Sequence, residues 1–231
     1  MAWWEDFFDE SYVQIWTASG AFEGTDQEVD GLVQLLGLAP GAAILDVACG
    51  FGRIAGPLHQ RGYRITGIDL SEPQLRLAEE RNPGPTYLRA DMRRPPAGPF
   101  DAVLNVFSSF GYFDDPAQDA AALRAWRGVL RPGGALVMTL MHRDRVAYLQ
   151  AQPREVRGPV REEGETDWVK GVRTATVTYR DTAKNFRVRL YTVTELVGLL
   201  RGAGFGQVAA YGDLWHTPVS PATRLVLHAI A

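Results

Sequence analysis

At 231 residues, with 46% hydrophobic and 22% charged side chains, the chain has the material for one globular domain with a full core. It has no apolar run near the ~18 residues a membrane helix needs. A single cysteine precludes an internal disulfide. The formal charge is −3 and no Lys or Arg precedes Arg53, which disfavours nucleic acid as a partner.

The opening Met1-Ala2-Trp3-Trp4-Glu5-Asp6 is acidic where a secretion signal is basic, so a cytoplasmic protein is expected. Residues 4–17 set Phe7, Phe8, Tyr12, Val13 and Trp16 at helical spacing and predict one amphipathic helix. Thr25-Asp26-Gln27-Glu28 reads as a capping box that opens a second helix through Leu36, stopped by Gly37 and Pro40. Strands are predicted at 43–47, 64–69, 86–90, 101–106 and 134–141, with helices at 52–61, from Ser71 to about Arg81, and at 117–130 between them. Repeated βα units imply a mostly parallel sheet with helices on both faces. The pattern changes in residues 155–190, where Val172 to Tyr179 and Phe186 to Leu190 are β-rich and Arg180 to Asn185 links them as a turn. With no helices between them these runs predict antiparallel strands, either a lid or a surface for a second subunit. A helix over 193–202, capped by Thr192 or Thr194, precedes two last strands at 207–211 and 223–228.

Chemistry concentrates at the first strand. Ile44 to Val47 empties into Ala48-Cys49-Gly50-Phe51-Gly52, where two glycines let a ligand approach the backbone. Asp69, at the end of the second strand and 19 residues past Gly50, is placed to accept both hydroxyls of a ribose. The spacing Gly50-x-Gly52-x-x-Ala55 also fits a dinucleotide turn, which keeps a nicotinamide-dependent oxidoreductase as an alternative. Asp46 argues against it: a buried carboxylate repels a pyrophosphate and suits a ligand carrying an ammonium and a sulfonium. Cys49 reads as a small packing residue of the turn. No His/Asp/Glu cluster has metal-ligand spacing, so no metal is expected.

Leu45 to Gly52, Gly67-Ile68-Asp69-Leu70-Ser71, Arg89-Ala90-Asp91-Met92-Arg93, Phe100 to Asn105 and Leu130 to Leu136 resemble, in order and spacing, the motifs of class I S-adenosylmethionine-dependent methyltransferases. In wording they are closest to small-molecule, amino-sugar-type members. The resemblance covers residues 30–142 and recurs at Tyr191 to Phe205. It implies an α/β, Rossmann-like, seven-stranded and mostly parallel sheet ending in an antiparallel hairpin, to which the β-rich pattern of residues 155–190 adds a small antiparallel insertion. The expected organisation is one domain: a helical cap over 1–37, a donor-binding core over 38–142, the β-rich insertion over 143–191, and a C-terminal helix and hairpin over 192–231.

The resemblance also implies S-adenosylmethionine as cofactor. Gly50, Gly52, Cys49 and Asp46 would surround its methionine end with the backbone of Asn105, Asp69 its ribose, and Leu70, Asp91 and Met92 its adenine. Tyr12 and Trp16 would close over the donor, or else simply pack their helix down. Phe107, Ser108, Phe110 and Tyr112 follow the fourth strand, where open α/β sheets bind ligands, and would line an acceptor pocket. Methylases of nucleic-acid bases carry Asn/Asp-Pro-Pro-Tyr/Phe there, so Asn105-Val106-Phe107-Ser108 points to a small-molecule acceptor, with RNA as the alternative. His142 is the candidate general base. A donor-binding protein without catalysis and a homodimer are further alternatives.

Overall fold

Ile44, Leu45 and Val47 are fully buried, and they make β1 (Ala43–Val47) an interior strand of a seven-stranded sheet. The computed structural model describes residues 3–152 and 158–231; residues 1–2 of the expected cap and 153–157 of the expected insertion lie outside the described residues. The strands are β1, β2 (Arg64–Asp69), β3 (Thr86–Arg89), β4 (Phe100–Asn105), β5 (Leu130–Leu140), β6 (Arg161–Asp167), β7 (Val172–Tyr179), β8 (Thr182–Arg189), β9 (Gln207–Tyr211) and β10 (Leu225–Ile230). The helices are α1 (Trp3–Phe7), α2 (Glu10–Ala18), α3 (Thr25–Leu36), α4 (Ala55–Gln60), α5 (Glu72–Arg81), α6 (Pro116–Val129), α7 (Arg143–Ala151) and α8 (Val193–Gly202).

The sheet order is β3-β2-β1-β4-β5-β10-β9, with β10 antiparallel to both neighbours and the other pairs parallel. The chain therefore winds outward in both directions from β1 and β4, and a crevice opens at their C-terminal ends. Successive residues of β1 serve opposite faces: Ile44 packs with Leu32, Leu58 and Leu104, whereas Leu45 packs with Leu123, Trp126 and Leu136. That two-sided burial is why the strand reads as an apolar run. The parallel core, the C-terminal hairpin and a separate three-stranded antiparallel sheet, β6-β7-β8, agree with the fold the sequence predicts.

Four local expectations change. The predicted helix over 4–17 is two helices, because the Asp9 carboxylate caps α2 by accepting the Ser11 N–H at 2.9 Å. The break frees the Phe8 and Asp9 carbonyls, which accept from the Ser71 hydroxyl and the Gln74 amide. The Thr25–Glu28 capping box does not form: Gly24 holds the cap position with φ +81°, and Thr25 and Glu28 instead hold the Arg53 guanidinium at 3.1 and 2.6 Å. The hairpin between β7 and β8 turns on Arg180 and Asp181 alone. The insertion opens with helix α7 and contains β6, neither of which the sequence announced.

The small sheet lies against α1, where Phe7 meets Phe186 at 5.6 Å and Lys184 reaches Asp9 at 2.5 Å. Trp126 is fully buried under the main sheet and donates its indole N–H to the Met92 carbonyl at 2.8 Å. Trp126→Ala is expected to lower unfolding stability by about 3–5 kcal/mol, read from the urea midpoint; an unchanged midpoint would contradict this placement of the core.

Candidate functional site

The crevice holds two adjoining cavities. The inner one, about 100 Å³, lies at the ends of β1, β2 and β4. The turn after β1 takes positive φ at Ala48, Gly50 and Gly52. A Cβ on Gly50 would meet only the Gln74 side chain, at 3.7 Å, so this backbone faces open space. A Cβ on Gly52 would stand 2.3 Å from the Tyr87 hydroxyl. Gly50 is thus a ligand-facing glycine and Gly52 a packing one.

Asp46 is 1% exposed, lines the inner cavity, and neither carboxylate oxygen has a hydrogen-bond partner among the described residues. Burial pushes its pKa up to about 7, against the attraction of Arg53 and with further repulsion from Asp69 and Glu28. Asp69 also lines the cavity, accepting from Gly50 N at 2.9 Å and Ser71 N at 2.8 Å. Burial raises its pKa, opposed by those backbone N–H groups. Ser71 separately caps α5 by accepting from Gln74 N, so Asp69 is not needed as a cap. Two carboxylates on one small cavity favour a ligand carrying positive charge and hydroxyl donors over a pyrophosphate.

Leu70 and Met92 border the same space, as does Cys49, whose thiol is held protonated by burial and by Asp46 and Asp69. Asp91 does not line it. Its carboxylate is taken by the Arg93 side chain and backbone, which hold its pKa below the usual range. Asn105 is fully buried and ties β4 to its neighbours by donating to the Val47 and Ser109 carbonyls; Val106, the next residue, borders the cavity.

The outer cavity is about 740 Å³ and shares Phe8, Tyr12, Phe107 and Tyr112 with the inner one. The expected acceptor residues Phe107, Ser108, Phe110 and Tyr112 all border it, as do Tyr12 and Trp16. Phe107 and Ser108 both carry positive φ, 62° and 65°, an unfavourable conformation for such residues. The end of β5 enforces it: Thr139 accepts both backbone N–H groups, and Ser108 Oγ accepts from Met141 N at 2.9 Å. The far wall comes from β6, β7 and β8, so the insertion covers the crevice.

His142 is a correction. It is 1% exposed and borders neither cavity, because its ring turns to the Thr223 carbonyl, 3.1 Å from Nε2. Among the described residues no histidine lines either cavity, and no cluster of three or more His, Cys, Asp or Glu is placed to hold a metal ion. Sequence reasoning missed Trp4, Phe22, Arg53 and Gln74 at the inner cavity and Arg173, Phe186 and Arg224 at the outer one. They reach it from segments far apart in the chain, and only the N-terminal aromatic cluster gave a local signal.

Residues 44–134 match the family model of a methyltransferase domain. A dTDP-3-amino-3,4,6-trideoxy-alpha-D-glucopyranose N,N-dimethyltransferase of Streptomyces venezuelae is 36% identical over 98 residues, 42% of this chain and 41% of that protein. A ubiquinone biosynthesis O-methyltransferase of Alkalilimnicola ehrlichii is 32% identical over 133 residues, 53% of this chain and 51% of its own length. The matches thus span about half the length of these relatives or less. In structure, a S-adenosylmethionine-dependent methyltransferase from Clostridium acetobutylicum superposes with a TM-score of 0.81 at 16% identity, over 95% of this chain and 97% of that one. That likeness extends the shared fold across the cap, the insertion and the C-terminal hairpin.

The isolated Asp46 carboxyl should titrate at about pH 7 in carboxyl carbon NMR, neutral below and charged above, and Asp46→Asn should remove that transition. An Asp46 titration below about pH 5, near the ordinary aspartate value, would contradict the desolvated site.

Proposed function

We propose that the chain is a class I S-adenosylmethionine-dependent methyltransferase that transfers a methyl group from S-adenosylmethionine to a small-molecule acceptor. The observation that carries this reading is Asp46, a buried carboxylate without a partner on a cavity that also holds Asp69. Among the described residues neither acid forms an ion pair, and Arg53, the nearby cation, is engaged by Glu28. In the bound state Asp46 takes the ammonium of the donor, the Gly50 backbone lies along its methionine part, and Asp69 accepts from the ribose hydroxyls with the lone pairs that Gly50 and Ser71 leave free. Leu70 and Met92 flank the adenine. Asp91 joins them only by releasing Arg93. A pyrophosphate would meet two carboxylates here, which weighs against the nicotinamide alternative.

The donor supplies a methyl on a positive sulfonium, which passes to an acceptor lone pair by in-line displacement. The protein's part is position and dryness. Phe8, Tyr12, Phe107 and Tyr112 stand between the cavities and keep water from the place where they meet. Among the described residues no histidine lines either cavity, so an acceptor that arrives as an uncharged amine or an oxygen already deprotonated suits the site. The curated names of the relatives cover N,N-dimethylation of a dTDP-amino sugar and an O-methylation in ubiquinone biosynthesis, both on small molecules. Enclosure by α1, α2 and the small sheet supports a small acceptor over RNA. Among the described residues no helix is long and apolar enough to cross a membrane.

Calorimetry should show binding of S-adenosylmethionine and its demethylated product and no response to NAD; the reverse would overturn the reading. Asp69→Asn should weaken that binding roughly 10- to 100-fold, because a hydrogen bond to a charged acceptor is worth about 1.5–3 kcal/mol. Unchanged affinity in a folded variant would make Asp69 a purely structural acid. Methyl-labelled donor incubated with a metabolite library then identifies the acceptor.

A further inference from the structure

Three guanidiniums border the outer cavity, and two of them are already engaged. Arg173 is paired with Glu162 through two nitrogens, at 2.6 and 3.1 Å. Arg189 donates to the Lys170 and Asp114 carbonyls at 2.9 and 3.1 Å. Arg224, the residue before β10, has no carboxylate partner among the described residues. Its one polar contact among the described residues is a long one, 3.4 Å to the Ser108 hydroxyl. The cavity's carboxylates, Glu162 and Glu165, both stand on β6 in the small sheet.

The surroundings of Arg224 are short of negative charge. The charged groups that act on it are Glu28, Arg145 and Arg53, and Glu28 is itself engaged by Arg53 at 2.6 Å. Its guanidinium and that of Arg53 both approach the Phe107 ring, at 5.7 and 5.0 Å from the centroid. Desolvation by the atoms packed around the guanidinium pulls the Arg224 pKa down, although the residue keeps an exposed face. Ser108 adds a second donor: Oγ already accepts from Met141 N, and its own hydrogen is committed to no acceptor among the described residues. Around this pair the cavity is aromatic and aliphatic, with Phe110, Phe186, Val188 and Leu190 among its walls.

We propose that Arg224 and Ser108 anchor a carboxylate of the methyl acceptor, which makes the acceptor a small carboxylic acid with an apolar or aromatic body. The inference rests on the donor and acceptor roles assigned above to the inner and outer cavities. A guanidinium and a hydroxyl supply donors for one singly charged, planar group. A phosphate ester carries more charge and more acceptor oxygens, and the remaining arginines of the cavity are engaged elsewhere. The anchor sits on Phe107, which borders both cavities, so a carboxylate held there fixes which end of the acceptor faces the donor.

The test uses the full chain with and without saturating S-adenosylhomocysteine, and three probes read by ligand-observed NMR titration: 3-phenylpropanoate, 3-phenylpropanamide and phenyl phosphate. The acid should bind at least roughly tenfold tighter than the amide. Arg224→Gln should remove that preference while leaving the amide's affinity unchanged, and Arg224→Lys should restore part of it. Circular dichroism reports whether each variant is folded. Equal affinity of acid and amide, an acid affinity indifferent to Arg224→Gln, tighter binding of phenyl phosphate, or no binding of the acid in either condition would each overturn the proposal. Failure of S-adenosylhomocysteine to bind overturns the donor reading instead, and the titrations without it still report on Arg224.

Discussion

An ionised carboxylate that leaves water without meeting a donor destabilises the fold that holds it. Asp46 is in that position at the end of the central strand, with both oxygens unpartnered. Its pKa of about 7 means that the folded chain binds the proton more firmly than the unfolded one. The group therefore favours folding at low pH, and that contribution is lost as the pH rises from about 4 to about 7. Much of the surrounding architecture follows from this constraint. The turn after β1, Ala48 to Gly50, carries no side chain larger than cysteine, which leaves the space beside the carboxylate open. Arg53 supplies the one attraction that lowers the Asp46 pKa, and α3 holds that guanidinium through Thr25 and Glu28. A cation bound in the cavity would relieve the same imbalance from within.

The second cavity depends on the first through shared residues. Ser71 and Gln74 stand at the start of α5 beside Asp69, and both bond to carbonyls at the break between α1 and α2. The break thus fastens the aromatic cap to the donor-side acids. Trp3 meets Tyr112 at 5.1 Å and Phe7 meets Phe186 at 5.6 Å, so one short helix joins the strand-four loop to the small sheet. Occupancy of either cavity bears on Tyr12 and Tyr112, which border both. Phe107 is the partition. Its left-handed backbone is held by Thr139, and guanidiniums approach its ring from Arg53 at the inner cavity and Arg224 at the outer one.

The donor side was legible because its parts are local. An apolar strand buried on both faces, a small-residue turn and an acid at the end of the next strand fall within residues 44–69, and each keeps its expected place. Three of the failures share one cause, a side chain recruited by a partner that local sequence does not weigh. Arg93 folds back on Asp91, the Thr223 carbonyl takes the His142 ring, and Arg53 draws Thr25 and Glu28 out of their cap. Strand β6 went unseen because Arg161-Glu-Glu-Gly-Glu-Thr-Asp167 has no apolar alternation; it is an exposed edge ordered by its pairing with β7. In α7 only Val146 is buried, too little to make a helical stripe. The outer cavity draws on residues from Trp3 to Arg224, so it exists only once the chain has folded.

The central claim is that Asp46 is retained for a cationic ligand at the expense of the free protein. Asp46→Asn at pH 8, where the carboxylate is charged, tests it by urea unfolding and donor calorimetry on the same samples. The account predicts a variant more stable than the parent, on the order of a few kcal/mol, with donor affinity reduced at least roughly tenfold. A variant that is less stable and binds the donor as tightly as the parent would show Asp46 to be a structural acid and would contradict the account.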